Sequence, residues 1–416
     1  MAGNSSVMNI FSGKHSLLFG IIIGVLLGGV VGSFFPEFGV KQGFIGEMFL
    51  KALKMIVLPL IIVSITLSIM KIGNTGELGS MGLKTILYYA STTAIAVFIG
   101  IVVVLIISPG EGGAIITGEM PAKIAGKENF EITSILDYFI HPNLFQAAAD
   151  FKILPLIVAS ILFGVAFALL GKESEVILRI FEVTEKAVMK IVHWIILFTP
   201  VGVFSLIADR IGEAGGGAEV FNIINQLFKY SISVVAGLFV HGFIVLPLIL
   251  VLIARRNPVD YFAHMSNALL TAFSTASSSA TLPLTMTSVI EKAKVKPKVG
   301  RFVLPLGATI NMDGTALYEA VAVIFIAQSY GISLGPGDLV IVFFTATLAA
   351  IGAAGIPEAG LVTMVLVLQA VGLPLEGVGL ILAIDWLLDR FRTTINVWGD
   401  SVGCAVIDRL DNKNSS

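Results

Sequence analysis

Charged residues are scarce in this chain of 416 residues: Asp, Glu, Lys and Arg make up 13%, whereas soluble domains carry about 25%. Hydrophobic residues make up 56%, and the mean hydropathy is +0.95. The formal net charge is only −2, and Cys404 is the single cysteine. This composition excludes a soluble enzyme, a disordered chain and a nucleic-acid-binding protein, and it predicts no internal disulfide.

Long apolar runs predict a polytopic helical protein surrounded by membrane lipid, because a spanning helix needs roughly 20 apolar residues. The strands of a β-barrel are shorter and alternate. The first six predicted spans cover residues 17–35, 45–69, 85–108, 132–170, 180–208 and 221–253. We expect Pro142 and Pro155 to break the fourth, which is too long for one straight crossing. Amphipathic residues 172–190 predict that the fifth helix begins in the interface.

Lysine and arginine cluster in alternate loops, and this bias orients membrane helices. Basic side chains follow the second, fourth and sixth spans and are densest over residues 292–301. The loops at 36–43, 110–131 and 212–219 carry balanced or net negative charge. We therefore predict that the basic loops and both termini are cytoplasmic, in a multi-pass protein of the plasma (cell inner) membrane.

Two unusual stretches interrupt the apolar sequence of the C-terminal half. Residues 274–283 are polar and end in proline, and they lie between basic segments predicted on the same side of the membrane. The apolar arms of this stretch must therefore enter the membrane and return. Residues 350–360 form a second, glycine-rich tip between apolar arms. Two kinked helices without a function are the alternative.

The spacing after these tips indicates an inverted repeat. Asp313 follows Pro283 by 30 residues, and Asp389 follows Pro357 by 32. Each predicted hairpin is thus followed by a helix with an intramembrane carboxylate. Paired interruptions of this kind point to a transporter binding site.

The last predicted helix carries a dense set of charges, each of which costs ~2.5–3.5 kcal/mol inside a membrane on the insertion scale. Intervals of 4, 3, 4 and 4 residues place five polar side chains on one helical face: Asp385, Asp389, Arg392, Asn396 and Asp400. Thr393 joins that face. The stripe predicts a site rather than a single structural ion pair.

The sequence Asn-Met-Asp-Gly-Thr at residues 311–315 lies in the preceding predicted helix. Gly314 is predicted to interrupt this helix, so that backbone carbonyls are exposed beside Asn311 and Asp313. Hard oxygen ligands of this kind suit alkali cations. A glycine kink with a capping aspartate is the alternative.

Four ordered motifs, at residues 276–283, 307–315, 352–357 and 389–400, resemble the glutamate transporter family, the dicarboxylate/amino acid:cation symporters. The first reads Ala-Ser-Ser-Ser-Ala-Thr-Leu-Pro and the last Asp-Arg-Phe-Arg-Thr-Thr-Ile-Asn-Val-Trp-Gly-Asp. The resemblance covers nearly the whole chain. It implies an all-α polytopic fold with eight transmembrane helices, two re-entrant helical hairpins and inverted repeats.

The resemblance also implies a homotrimer whose subunits each hold a scaffold and a transport domain that moves like an elevator. The scaffold is expected at residues 1–83 and 111–255, and the transport domain at residues 84–110 and 256–416. The second hairpin is expected to be the extracellular gate.

The family's substrate residues imply an acidic amino acid as substrate, L-glutamate or L- or D-aspartate. Arg392 resembles the arginine that binds the side-chain carboxylate, and Asp389 resembles the acceptor for the ammonium group. The other implied contacts are Ser277, Ser278, Met312, Thr315, Gly355, Ile356, Gly360, Thr393 and Asn396. Asp385 and Arg390 are expected to supply supporting charge.

Three sodium sites carry over in the same way. The first implied set is Gly307, Asn311, Asn396 and Asp400. The second, deeper set is Tyr89, Thr92, Thr93, Asn311 and Asp313. The third, built largely from carbonyls, is Thr309, Met312, Ala350, Ile351 and Ala353. Without the resemblance, residues 89–93 read as an ordinary hydroxyl patch in a span.

Two positions depart from the archaeal pattern of the family. Archaeal members have arginine before the serine triplet, where this chain has Ala276; Arg390 instead follows Asp389, as in the animal excitatory amino acid transporters. Glu319 replaces a frequent glutamine, and the animal carriers link this glutamate to proton symport and potassium countertransport. Burial favours a neutral carboxylic acid, which suits a proton carrier. A hydrogen-bonded structural carboxyl is the alternative.

Charge alone predicts cation coupling. Asp313, Glu319, Asp389 and Asp400 sum to −4 when ionised, and two arginines contribute +2, so an anionic amino acid would enter a region at −2. In a low-dielectric site this requires accompanying cations. The implied coupling ion is Na+, with H+ and K+ as further candidates.

Other classes of function fit less well. A C4-dicarboxylate:cation symporter is the main alternative, and it would not need Asp389. A neutral amino-acid exchanger would leave Arg392 unpaired. An intramembrane enzyme would need a base near the serines at 277–279. A channel is a further alternative. The histidines show no metal-binding spacing and carry no predicted role: His15, His141, His193, His241 and His264.

Overall fold

The computed structural model describes residues 14–74, 80–111, 139–150, 152–213, 215, 217, 219–352 and 359–412. Helices of the N-terminal half are α1 (Lys14–Phe34), α2 (Pro36–Asn74), α3 (Ser80–Ile107), α4 (Leu144–Ala149), α5 (Ile153–Leu169), α6 (Glu175–Ile196), α7 (Thr199–Glu213) and α8 (Glu219–Val240). Those of the C-terminal half are α9 (Pro258–Thr275), α10 (Ser278–Thr287), α11 (Pro297–Ile310), α12 (Asp313–Ser329), α13 (Pro336–Ala349), α14 (Ala359–Ala370) and α15 (Val378–Asn412).

Shorter helical turns extend these elements. Helix α8 continues into the π-helical turn His241–Val245, the α-helical turn Leu246–Ile249 and a second π-helical turn, Leu250–Ala254. A third π-helical turn, Ser288–Lys292, extends α10. The 3₁₀ turns are Gly171–Ser174, Ala350–Gly352 and Leu375–Gly377.

Four segments of the described chain are long and apolar enough to cross a membrane: Pro36–Lys71, Met81–Ile107, Phe221–Ala254 and Pro297–Ser329. Helices α6 and α7 form a fifth candidate, bent by 50° where they meet. The many charges of α15 agree with its absence from this set, although it has 35 residues. The fold is thus that of a helical membrane protein, and the count of eight spans stays a prediction.

Three predicted boundaries differ from the structure. Residues 36–43, predicted as a loop, form the start of α2, because Pro36 fits the first turn of a helix. The predicted span 180–208 is two helices, which meet in a turn at residues 197–198. The predicted span 132–170 is interrupted after α4, and Pro155 lies in the first turn of α5. Part of that span, residues 132–138, lies outside the described residues.

The helices pack in two groups. Helices α1, α2, α5, α6 and α7 contact mainly one another. Small residues bring α1 close to α7: a Cβ atom at Gly28 would lie 2.6 Å from the carbonyl oxygen of Phe204, and one at Gly32 would lie 2.7 Å from that of Ala208.

Helices α3 and α9–α15 form the second group, which contains the candidate site. Helix α8 belongs with them, because its main neighbours are α3, α12 and α15. The packing therefore divides the chain differently from the predicted boundary at residue 255, which assigns α8 to the scaffold.

Two helical hairpins lie in the second group. Helix α9 packs along α10, and α13 packs along α14. The turn of the first hairpin is Ala276, in the left-handed conformation (φ 49°), followed by Ser277, whose hydroxyl caps α10. This turn is shorter than predicted, because α10 already begins at Ser278 and Pro283 lies inside it.

The break between α11 and α12 falls at Asn311 and Met312, which have non-helical backbone angles. The prediction that Gly314 interrupts the helix is therefore wrong, since Gly314 lies inside α12. This glycine instead allows close contact with α15: a Cβ atom here would lie 2.6 Å from the carbonyl oxygen of Arg392. Its role is in packing rather than in unwinding.

Candidate functional site

The polar stripe of α15 is buried in protein. Its members are each at most 6% exposed: Asp385, Asp389, Arg392, Thr393, Asn396 and Asp400. Burying such groups is costly unless they are paired or bind ions. Their contacts with the hairpins and with the break before α12 therefore define the candidate site.

Arg392 lies at the centre of a buried charge cluster. Its Nη2 donates a hydrogen bond to Oδ1 of Asp389 at 2.9 Å and lies 3.0 Å from Oδ1 of Asp385. The guanidinium stacks on the ring of Tyr318, with its Cζ 3.8 Å from the ring centroid. Nε and Nη1 have no hydrogen-bond partner among the described residues. Part of the guanidinium fork is thus available for a carboxylate.

The second hairpin approaches this available side of the guanidinium. A Cβ atom at Gly360, near the start of α14, would lie 2.8 Å from Nη1 of Arg392 and 3.2 Å from the methyl group of Thr315. Only a residue without a side chain allows this approach. Three predicted residues of this hairpin, Ala353, Gly355 and Ile356, lie outside the described residues.

Asn396 connects α15 to the break before α12. Its Oδ1 accepts from the backbone N–H of Gly314 at 2.7 Å, and its Nδ2 donates to the hydroxyl of Thr315 at 3.2 Å. Nδ2 also lies 3.3 Å from the sulfur of Met312. The structure therefore brings together Asn396, Met312 and Thr315, three of the predicted substrate residues.

The tip of the first hairpin packs against α15 through Arg390. Its Nη1 donates to the carbonyl oxygens of Phe273 at 3.0 Å and of Ser274 at 2.9 Å, the last turn of α9. A cation is favourable there because of the helix dipole. The predicted residues Ser277 and Ser278 are buried beside this turn, and Ser277 is engaged as the cap of α10.

A second polar cluster surrounds Asp313. Its Oδ1 accepts from the hydroxyls of Thr93 at 2.7 Å and of Thr92 at 3.3 Å, while Thr92 lies 3.4 Å from Oδ1 of Asn311. The residues of α3 that looked like an ordinary hydroxyl patch thus contact the carboxylate of α12. Hydroxyl, amide and carboxylate oxygens together suit a sodium ion.

Asn311 also reaches the other predicted cation site. Its Nδ2 donates to Oδ1 of Asp400 at 3.0 Å. A Cβ atom at Gly307 would lie 2.5 Å from the hydroxyl of Tyr89, which donates to the carbonyl of Val303. Asn311 therefore lies between the two carboxylates, Asp313 on one side and Asp400 on the other.

The residues of the third predicted cation site are only partly described. Ala350 and Ile351 lie in the 3₁₀ turn after α13, and Met312 lies in the break before α12. The hydroxyl of Thr309 donates to the carbonyl of Leu306 in its own helix.

Glu319 is fully buried in α12. Its Oε1 accepts a short hydrogen bond from the hydroxyl of Thr363 on α14, and its Oε2 has no hydrogen-bond partner in the described part of the chain. The carboxyl is thus linked directly to the second arm of the second hairpin.

Two features of the site go beyond the predictions: the direct contact of Asp385, which was expected only to supply supporting charge, and the position of His241. Asp385 contacts Arg392 directly, so the local charge includes five carboxyl groups against two guanidinium groups, −3 rather than −2 if all are ionised. His241, predicted to have no role, lies fully buried with its Nε2 3.0 Å from Oδ2 of Asp313. An ionisable side chain in an apolar helix was the available signal for His241.

Comparisons with known proteins agree with this arrangement. The profile of the sodium:dicarboxylate symporter family matches residues 17–410. Human excitatory amino acid transporter 3 is 39% identical over an alignment 422 positions long, which covers 89% of this chain and 79% of the relative. Human excitatory amino acid transporter 2 is 38% identical over an alignment 466 positions long, which covers 96% of this chain and 79% of the relative. The rabbit transporter 3 is 37% identical over 460 residues, covering 97% and 87%. The chain belongs to the sodium:dicarboxylate symporter family.

Proposed function

We propose that this protein is a secondary active transporter that couples the uptake of acidic amino acids, glutamate and aspartate, to sodium symport. The observation that carries this proposal is the buried contact of Arg392 with Asp389, beside a partly available guanidinium fork. An acidic amino acid presents carboxylates to the guanidinium and an ammonium group to Asp389. The names of the relatives, excitatory amino acid transporters, support the same substrate class.

The remaining substrate contacts follow from their positions around Arg392. Thr393 and Asn396 share its helical face, Thr315 is held by Asn396, and Gly360 admits the second hairpin to the guanidinium. The first hairpin contributes Ser277 and Ser278. We assign Gly355 and Ile356 to the same pocket from the family resemblance alone.

Sodium is proposed as a co-transported substrate bound by the two carboxylate clusters. The hydroxyls of Thr92 and Thr93 already lie around Asp313, and the amide of Asn311 lies beside Asp400. Tyr89, Gly307 and Asn396 complete these sets. A third site would use carbonyls, with the members Thr309, Met312, Ala350, Ile351 and Ala353.

Electrostatics explain why the two substrates must travel together. Five buried carboxyl groups face two guanidinium groups, so the site already has an excess of negative charge. Adding an acidic amino acid increases this excess in a region of low dielectric, where unpaired charge is expensive. Sodium ions at Asp313 and Asp400 offset it, and amino acid affinity therefore rises with sodium concentration.

Movement in the membrane is proposed to follow the two packing groups. Helices α3 and α8–α15 would move as the transport domain relative to the scaffold formed by α1, α2 and α5–α7. We retain eight spans, re-entrant hairpins, a homotrimer, a plasma-membrane location and cytoplasmic termini as parts of this proposal. Glu319, joined to the second hairpin through Thr363, is proposed to carry a proton inward and to take part in potassium countertransport.

The proposed function is tested by uptake of labelled aspartate into proteoliposomes containing the purified protein. An inward sodium gradient is expected to drive accumulation, whereas choline in place of sodium is expected to abolish it. Accumulation that is equal in sodium and in choline would contradict sodium coupling. Changing external protons and internal potassium one at a time then tests the role of Glu319.

Transport of C4-dicarboxylates is a second candidate, favoured by the description of the matching family as sodium:dicarboxylate symporters. Succinate carries two carboxylates but no ammonium group, so Asp389 would remain without a ligand partner. Competition between succinate and labelled aspartate for uptake distinguishes the two. Inhibition by succinate at the concentration that suffices for unlabelled aspartate would favour the dicarboxylate.

A further inference from the structure

We propose that His241 is a positioning residue for sodium binding: its imidazole holds one oxygen of Asp313 so that the other faces the hydroxyls of α3. This inference rests on the proposed sodium coupling and adds a residue from α8 to the site. It arises from one contact, Nε2 of His241 to Oδ2 of Asp313 at 3.0 Å, in which both side chains are fully buried.

The two oxygens of Asp313 have different partners. Oδ1 accepts from Thr93 at 2.7 Å and from Thr92 at 3.3 Å, whereas Oδ2 accepts from His241. An ionised carboxylate only accepts hydrogen bonds, so the proton of this contact belongs to Nε2. Donors on both sides fix the rotation of the carboxylate and direct Oδ1 toward the hydroxyl groups.

The other ring nitrogen supports a role that depends on Asp313. Nδ1 of His241 is buried and has no hydrogen-bond partner among the described residues. The contact with Asp313 is therefore the one polar contact seen for this imidazole within the described chain. An apolar ring would serve equally well for packing in an apolar helix, since a polar group buried without full hydrogen bonding costs stability.

The backbone around His241 is shaped for this approach. His241 begins the π-helical turn His241–Val245, and such turns occur frequently at functional sites. A Cβ atom at Gly242 would fall within contact distance of Ile395, and the carbonyl of Gly242 accepts from the indole N–H of Trp398 at 2.9 Å. These contacts hold the turn against α15 and present His241 to Asp313.

A neutral imidazole suits this role better than a permanent cation. Lysine or arginine at this position would neutralise Asp313 and compete with sodium for it. An imidazole N–H instead orients the carboxylate without a permanent positive charge. Groups behind a metal ligand act in this way in other metal sites, where their loss costs about 10- to 100-fold in metal affinity.

The test measures sodium binding without transport. The purified full-length protein is heated in detergent over a series of sodium concentrations, with choline holding ionic strength constant and no amino acid present. Sodium that binds the folded state raises the unfolding temperature, and the concentration dependence gives the apparent affinity. His241→Phe keeps a ring without the donor, and His241→Gln keeps a donor at a similar distance.

The proposal predicts that His241→Phe raises the apparent Kd for sodium, fitted from this concentration dependence, by about tenfold, the lower end of the range for such partners. His241→Gln is expected to stay within about twofold of the wild type on the same argument. An unchanged apparent Kd for sodium in His241→Phe, or an equal rise in both variants, would overturn the proposal.

Two further outcomes keep the test decisive. If His241→Phe does not fold, His241→Leu takes its place as the variant without a donor: an apparent Kd for sodium about tenfold above that of His241→Gln supports the proposal, and equal values overturn it. If sodium does not stabilise the wild-type protein at all, sodium coupling itself fails. If it stabilises the wild type and His241→Phe equally, only the role of His241 fails.

Discussion

Oδ1 of Asp389 accepts a hydrogen bond from Nη2 of Arg392 at 2.9 Å, so the two residues proposed to bind opposite charges of the substrate are bound to each other. In a ligand that carries both a carboxylate and an ammonium group, the carboxylate can take the place of Asp389 beside Arg392. The ammonium group can likewise take the place of Arg392 beside Asp389. Neither buried charge is then left unpaired, which would be costly. A ligand with only one of these groups can replace only one side of this contact. On the proposed function, this exchange favours amino acids over dicarboxylates, which lack the ammonium group.

Replacing Arg392 tests the carboxylate end of this exchange. Arg392→Cys is expected to weaken aspartate binding by at least about 30-fold, because truncating one partner of a buried charge pair costs about 2–5 kcal/mol. The variant is expected to admit small neutral amino acids instead. Arg392→Lys, which keeps the charge and loses the fork, is expected to lie between. Competition with labelled aspartate measures the affinities of the wild type and of both variants. Wild-type affinity in Arg392→Cys would remove Arg392 from the site.

Replacing Asp389 tests the ammonium end. Asp389→Asn keeps the size of the side chain but loses the negative charge that pairs with an ammonium group. Aspartate uptake is expected to fall by at least about tenfold, since hydrogen bonds to charged groups contribute about 1.5–3 kcal/mol. Succinate uptake measured in the same proteoliposomes is the control. If aspartate uptake is retained in Asp389→Asn, the ammonium group has another acceptor.

Glu319 and Thr363 form a pair that tests proton coupling. Glu319→Gln mimics the neutral carboxyl and is expected to transport without the pH dependence of the wild type and without a response to internal potassium. Thr363→Val removes the hydroxyl that donates to Oε1 without a large change in volume, and it is expected to shift the pH profile. Thr363→Ser keeps the donor and is the matched control. A wild-type pH profile in Glu319→Gln would refute the proposed proton carrier.

Gly314 tests the close contact of α12 with α15. Gly314→Ala would place a methyl group 2.6 Å from a backbone oxygen of Arg392, which cannot move as a flexible side chain can. We expect a loss of about 1–3 kcal/mol in stability, typical of overpacking, and a lower unfolding temperature. Gly335→Ala is the control, because its nearest neighbouring atom would lie 3.7 Å away. Equal unfolding temperatures for the two variants would contradict the packing role.

The sequence predicted the stripe of α15 well because its physics is local. A period of about 3.6 residues fixes which side chains share a helical face, and the cost of intramembrane charge requires that face to be buried. Asp389, Arg392 and Asn396 accordingly lie together. The hydroxyls of Thr92 and Thr93 entered the predicted site only through the family resemblance, since nothing in α3 alone distinguishes them from a packing patch.

Features that depend on contacts between distant helices were not predictable in this way. His241 lies 72 residues from Asp313 in sequence, and only packing of α8 against α12 brings them together. The same packing places α8 with the site rather than with α1, α2 and α5–α7. Gly314 was predicted to unwind a helix because glycine has a low helix propensity, but its lack of a side chain is used to admit α15.

Helix α15 runs from Val378 to Asn412 without a break, and this continuity limits how the proposed amino acid and sodium sites can affect each other. Asp389 and Asp400 are eleven residues apart on one rigid rod, about 16 Å along its axis, and cannot shift relative to each other. Beyond the electrostatic coupling, a conformational route between the proposed amino acid and sodium sites would then pass through the non-helical turn at Asn311 and Met312, which Asn396 contacts. Uncoupled transport, in which sodium crosses without an amino acid, would originate at that turn.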